Sequence, residues 1–365
     1  MKEIAGQGLK TQEIKVNFGP HHPSTHGVFR MVITLDGENV VGVEPCVGYL
    51  HRGIEKLAED RTYPQCLPFT DRLDYICSMT NNWAYAKAAE ELMEVEVPLR
   101  AEYIRVIVGE LQRIVNHLVF WATFANDFGS QTGYMYGFRD REEVLKIFES
   151  LTGSRMTYSY VRIGGVANDL TDDLLKEIEE FIEYLPEALE DYHNLITGNE
   201  IFQARTKGVG ILDPEVAINY GVSGPNLRGS GVDYDLRKNK PYGVYDEFNF
   251  DIPTREEGDL FSRYIVRVDE IYESCKIIKQ ALDKLPEGDI DTKIPKRPPE
   301  GAIYSRVESP KGELGFYLVS DGSKNPYRFR VRPPTFIHIN ALKEMMIGEK
   351  VADAVAILAS IDIVL

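Results

Sequence analysis

CVGYLHRGIEKLAEDRTYPQCLPFTDRLDYICSM, residues 46–79, decides how the rest of the chain is read. With the turn GPHHPSTHG at 19–27 it places His21, His22, His26, His51, Arg52, Arg61, Tyr63, Arg72, Asp74 and Tyr75 between residues 19 and 79. Most of these lie in or beside turns and helix ends. Apolar cores are not built from such a density of polar and titratable groups, so the stretch reads as a site. Gly19, Pro20, Pro23 and Gly27 leave the turn few backbone conformations, which fixes where its imidazoles point.

Upstream, QEIKVNF (12–18) alternates in part, and VFRMVITLDGENVVGVEP (28–45) holds the turn signal Asp36-Gly37 between two β-rich runs. Residues 1–48 therefore read as a hairpin or small antiparallel sheet. Downstream, GIEKLAEDR reads as a helix, and TNNWAYAKAAEELME as another that starts at a capping Thr80 or Asn81. Pro98 opens the longest, whose stripe of Ile104, Ile107, Val108, Leu111, Ile114, Val115, Leu118 and Val119 is too broad for a surface helix. Further helices are expected over 140–153, over 170–199 with an interruption at Pro186, and over 256–285. Glycine and proline break the pattern through 200–255. A second β region, with a hairpin at Asp321-Gly322, and two short helices fill 303–365. Sheets at both ends of a helical core (49–285), without a linker, predict an α+β fold in which residues 1–365 form one domain.

With 43% apolar and 10% aromatic residues in 365, the chain can bury a large core. Its net charge of −16 argues against nucleic acid, whose phosphates need a basic face. Cys46, Cys66, Cys77 and Cys275 show no CxxC spacing and follow no signal peptide, which reads as reduced thiols in a cytoplasmic setting. The longest apolar runs, such as HLVFWATFA at 117–125, fall short of the ~20 residues of a spanning helix, so a membrane is met only through partners. SGPNLRGSG lacks the GxGxxG pattern, and NAD(H) is not expected on this chain. His22 and His26 have metal-ligand spacing only on a helix, which Pro23 opposes. Taken singly, Tyr75 reads as a core tyrosine, Asp127-Phe128-Gly129 as a helix stop, and Arg72 as the partner of Asp74.

Taken together, eight collinear motifs carry a resemblance: GPHHPSTHGV, YLHRGIEKLAEDRTY, DRLDYI, NHLVFWATFANDFG, RIGGVANDL, SGPNLRGSGVDYDLRK, ESPKGELGFYLVSDG and ASID. In this order they resemble the 49 kDa (D) subunit of respiratory complex I. They are similar also to the H subunit of photosynthetic complex I and to the D subunit of the methanogen dehydrogenase that oxidises reduced coenzyme F420. The resemblance implies a fold like the large subunit of nickel-iron hydrogenases, with a central helical bundle between small antiparallel sheets. It implies a site for a quinone or methanophenazine headgroup beside an iron-sulfur subunit that holds a 4Fe-4S cluster. The headgroup tyrosine falls on Tyr75, the headgroup histidine on His26 and its acidic partner on Asp127. Arg52 and Arg72 match arginines beside the cluster, and His22 the first histidine of the turn. Implied partners are that subunit, other peripheral-arm subunits and a membrane-arm subunit at the quinone entrance, in a peripheral complex on the cytoplasmic side. The electron donor, whether NADH, ferredoxin or reduced F420, stays open.

The chemistry fits those residue types. Reducing a quinone takes two electrons and two protons, and negative charge develops on both carbonyl oxygens. A phenol with an ordinary pKa of about 10 and an imidazole near 6.5 can each donate a hydrogen bond and then a proton. A carboxylate at Asp127 would favour the charged form of His26. Two departures from relatives qualify the resemblance. The cysteine pairs that ligate nickel and iron in hydrogenases align with Asp74 and Cys77, and with Val364 and a position at or beyond Leu365, so nickel chemistry is not expected. Thr157 stands where some members carry a histidine near the cluster, which implies a cluster potential less dependent on pH.

Overall fold

Met31, Ile33 and Leu35 are buried and alternate with half-buried neighbours, so their strand gives one face to the core. In the computed structural model, which describes residues 12–21 and 27–364, this strand is β2 (Arg30–Asp36). It lies between β1 (Glu13–Phe18) and β3 (Asn39–Cys46) in an antiparallel sheet. The expected turn joins β2 to β3, with Gly37 at φ 64°.

Two short helices follow, α1 (Ile54–Glu59) and α2 (Tyr63–Thr70). The third, α3 (Ser78–Met93), begins before the expected Thr80 or Asn81, and both of those residues are buried inside it. The cause is local: the Ser78 hydroxyl donates to the Asp71 and Tyr75 carbonyls, so the helix is anchored two residues early. Pro98 does open the long helix α4 (Leu99–Asp127), buried on almost every side as its broad stripe requires. It packs against α5 (Gln131–Thr152) and α11 (Leu260–Asp283).

The start of α5 lies at Gln131, ahead of the expected 140. Gly133 and Gly137 weaken the helical signal, yet they let α5 approach α4: a Cβ on Gly137 would stand 2.8 Å from the Ala122 Cβ. Pro186 does not interrupt α6 (Asp172–Tyr192). Leu185, Ala188 and Leu189 remain buried around it, and packing outweighs the lost backbone bond. A π-helical stretch, His193–Thr197, ends this segment.

Residues 200–255 hold four short α-helices, α7 (Glu200–Thr206), α8 (Pro214–Tyr220), α9 (Pro225–Arg228) and α10 (Leu236–Asn239), and a 3-10 helix at Tyr245–Glu247. A two-stranded ladder, β4 (Val161–Arg162) and β5 (Gly165–Val166), precedes α6. The second sheet consists of β6 (Gly301–Ser309), β7 (Gly312–Ser320) and β8 (Arg328–Arg332) in that order. Its β6–β7 face covers α3, and Pro310-Lys311 at the hairpin tip points inward, with Lys311 1% exposed. Three helices rather than two end the described chain, α12 (Pro334–His338), α13 (Leu342–Met346) and α14 (Ala354–Ser360). One apolar cluster runs from Phe29 to Ile363 through both sheets and the helices between them.

Candidate functional site

The chain between the end of α2 at Thr70 and the start of α3 at Ser78 carries Arg72, Asp74 and Tyr75. Its backbone is held from both sides. Asn81 of α3 donates to the Asp74 carbonyl at 2.9 Å, as does the Cys77 N–H at 3.0 Å. From α4, Gln112 Nε2 donates to the Ile76 carbonyl at 2.5 Å, and Gln112 Oε1 accepts from the Met79 N–H at 3.4 Å. The Asp74 Oδ1 closes the turn by accepting from the Ile76 N–H at 3.1 Å. Outward from this scaffold, Tyr75 stands 45% exposed. It is therefore not the core tyrosine that its residue type alone suggests.

Beneath the turn lies Lys311. Its ammonium sits 3.1 Å from Asp74 Oδ2 and 3.9 Å from Asp362 Oδ2, donates to Asn116 Oδ1, and lies 3.5 Å from Cys77 Sγ. Asn116 in turn donates to Asp362 Oδ2 at 2.8 Å. Burial alone would lower the Lys311 pKa, but Asp362 and Asp74 outweigh it and hold the amine above its ordinary value. Burial acts on Asp362 in the other direction, and there Lys311 and Arg267 prevail and hold the carboxyl below its usual range. The expected Arg72–Asp74 pair is not formed, because Lys311 takes the carboxylate.

The two arginines meet through backbone carbonyls. Arg52 Nη2 donates to the Arg72 carbonyl at 3.2 Å, and Arg72 Nη1 donates to the Pro68 carbonyl at 2.6 Å near the end of α2. Both side chains are exposed, on the same stretch as Tyr75. Beside them, the buried Asp71 carboxylate accepts from the Ser159 N–H at 3.0 Å and its hydroxyl at 2.6 Å. That contact holds the loop containing Thr157 (φ 57°) and Ser159 (φ 44°), two left-handed residues that are not glycine.

Asp127 is half-buried at the last position of α4, followed by Phe128 as cap and Gly129 at φ 85°, so the residue type that stops the helix also brings the carboxyl to its end. His22 and His26 lie outside the described residues. The structure thus sets Arg52 against the backbone of the turn that carries Arg72 and Tyr75. Lys311, Asn116, Gln112 and Asp362 were not legible as site residues: a lysine at a hairpin tip ordinarily points to solvent, and nothing in ESPKGELG marks this one as buried.

The donor set does not suit a nickel centre. Cys77 offers the one thiol near this cluster, burial pushes its pKa well above the ordinary value, and the Lys311 ammonium stands within contact of it. A cation already fills the place between the carboxylates.

Residues 127–297 and 293–365 match the family described as respiratory-chain NADH dehydrogenase, 49 Kd subunit. Residues 52–129, which span the turn and most of α4, match nickel-dependent hydrogenase, and the fold is that of a hydrogenase large subunit. The D subunit of the NADH-quinone oxidoreductase of Desulforamulus reducens is 57% identical over 359 residues, and that of Carboxydothermus hydrogenoformans 56%, each alignment covering 98% of both chains. The corresponding chain of Bacillus mycoides is 47% identical over 360 residues, again 98% of both. With the family match covering well over half of its residues and its relatives aligned over nearly their whole length, the chain belongs to the 49 kDa, or D, subunit family of the respiratory-chain NADH dehydrogenase.

Proposed function

We propose that this chain forms the quinone site of a complex I-type NADH-quinone oxidoreductase, with Tyr75 and His26 at the two carbonyl oxygens of the headgroup and Asp127 as the partner of His26. The observation that carries the reading is the turn around Tyr75. The tyrosine is 45% exposed, while the carbonyls of Asp74 and Ile76 on either side of it are tied to α3 and α4. A phenol held in this way meets an arriving ring with little reorganisation, which is the condition for stabilising charge as it develops. The histidine share of the reading rests on the sequence, where His22 and His26 flank Pro23 in the 19–27 turn.

The reaction adds two electrons and two protons to each quinone. The Tyr75 hydroxyl donates a hydrogen bond to one carbonyl oxygen and then its proton; the His26 imidazole does the same at the other, and both recover protons from water. A 4Fe-4S cluster held by the partner iron-sulfur subunit would supply the electrons one at a time. Arg52 and Arg72 face that subunit, where positive charge raises the potential of a reduced cluster. Other peripheral-arm subunits and a membrane-arm subunit complete the site. Among the described residues no helix is long and apolar enough to cross a membrane, in keeping with a peripheral place in such a complex.

Tyr75→Phe in the assembled complex tests the reading. Loss of a positioned proton donor is expected to lower kcat with a short-chain quinone by roughly 10²-fold. NADH oxidation by ferricyanide should stay at the wild-type rate, since it draws electrons upstream of this chain. A wild-type quinone reductase rate in that variant would remove Tyr75 from the mechanism.

A further inference from the structure

Lys311 is one of the most buried charged groups of the chain, and it belongs to none of the roles assigned above. Its ammonium joins four separate pieces of structure. Asp74 comes from the Tyr75 turn, Asn116 from the middle of α4 and Asp362 from the segment after α14, while Lys311 itself tips the β6–β7 hairpin. The hairpin tip is fixed in turn. Gly312, at φ 127°, lies so near Ser223 that a Cβ there would stand 2.6 Å from the Ser223 hydroxyl, and that hydroxyl accepts from the Glu313 N–H at 3.0 Å. The lysine therefore reaches the turn from a rigid base. Asp74 is the residue through which it acts, because that carboxylate holds Lys311 with Oδ2 and the Ile76 N–H with Oδ1, on the two sides of Tyr75.

We propose that Lys311 is the positioning residue of the Tyr75 turn: by clamping Asp74 to α4 and to the Asp362 segment, it holds the Tyr75 hydroxyl in one orientation toward the quinone. The proposal rests on the quinone-site reading above. Asp74 could be neutralised by any cation, but a cation shared with Asn116 and Asp362 also ties its carboxylate to α4 and to the chain after α14, which the bonds from Asn81 and Cys77 to its carbonyl do not. Removing the clamp leaves the tyrosine present and the site open, with the phenol free to sample other orientations, and small misplacements of a reacting group are costly.

A double-variant cycle in the assembled complex separates this from a structural role, with NADH as donor and a short-chain benzoquinone as acceptor. Ferricyanide reduction controls for assembly. K311M is expected to lower kcat by roughly 10-fold or more with a smaller change in KM. In the Y75F background the same K311M change should alter kcat less than about two-fold, because a residue that acts through Tyr75 has nothing left to position. K311R, which keeps a cation, should regain part of the loss. D74N/K311M, which removes the Asp74 carboxylate together with its cation and leaves Asp362 its Asn116 hydrogen bond and the nearby Arg267 charge, should assemble and stay slow; it replaces K311M in the cycle if K311M alone does not assemble. Recovery of the wild-type kcat in D74N/K311M would reduce Lys311 to charge neutralisation and overturn the proposal. Effects of K311M and Y75F that multiply would overturn it too, as would a wild-type kcat in K311M. A wild-type kcat in Y75F alone would instead sink the quinone-site reading.

Discussion

At the scale of single residues, the loop beside the arginines shows how backbone conformation and chemistry meet. Thr157 sits at φ 57°, where a β-branched side chain is strained, and Ser159 follows at φ 44°. Such conformations persist when surrounding contacts over-determine them, and here the Asp71 carboxylate does so through the N–H and hydroxyl of Ser159. Burial raises the Asp71 pKa, with the two Ser159 bonds opposing it. Histidine tolerates the left-handed region better than threonine does. Thr157→His is therefore expected to stabilise the loop by about 1 kcal/mol. It should also make the midpoint potential of the 4Fe-4S cluster proposed for the partner subunit more dependent on pH than in the wild type. Redox titration of the assembled complex at several pH values checks the second point, and an unchanged slope would refute it.

At the scale of elements, what the sequence conceals is most often a close approach. The periodicity of α4 is plain because large apolar side chains fill it, whereas α5 meets α4 through Gly133 and Gly137, which carry no hydrophobic signal. A Cβ at Gly137 would lie 2.8 Å from the Ala122 Cβ and 3.0 Å from the Leu118 carbonyl oxygen, a backbone atom that cannot swing aside. Gly137→Val is expected to push α5 off α4 at about 1–3 kcal/mol of stability, and more if the helices cannot shift together. Lowered assembly of the variant, measured by the ferricyanide rate per milligram of membrane protein, checks this. The limits of α3 and α6 depart from the sequence pattern for a related reason. Ser78 anchors α3 through carbonyls seven and three residues earlier, and buried packing carries α6 through Pro186, and neither effect is local enough to be read from a run of residues. The strands and the Asp36-Gly37 turn were legible because alternation and turn chemistry are local.

At the scale of the whole molecule, ion pairs do inside the core what apolar contacts do elsewhere. Arg228, fully buried, bonds Glu270 at 2.6 Å and Glu308 at 2.8 Å, and lies 3.4 Å from Asp235. Burial alone would raise the Glu270 carboxyl, yet Arg228 and His117 hold it well below its ordinary range. Motif reading singled out Arg52, Arg72 and Tyr75 as candidates and passed over this network, since sequence shows which charges exist and not which of them face inward.

The same burial makes stability depend on pH. His338 is 1% exposed; its Nε2 accepts from the Ser223 N–H at 3.2 Å, and its Nδ1 lies 3.0 Å from Asn226 Nδ2. Desolvation first, and then Arg267 and Arg332, lower its pKa from 6.5 to about 3. A histidine neutral when folded and free to charge when unfolded contributes nothing adverse above its unfolded pKa. As pH falls below about 6.5 the unfolded chain takes up a proton that the folded chain refuses, and stability declines by about 1.4 kcal/mol per unit until the folded pKa is reached. Other groups titrate in this range, and Glu308 works in the opposite direction, because burial and Asp235 raise its pKa above the ordinary carboxylate value. The contribution of His338 is therefore isolated by difference. Denaturant unfolding of wild type and His338→Gln should show the variant gaining on the wild type as pH is lowered below about 6.5, and parallel curves would show that this imidazole is charged in the folded protein.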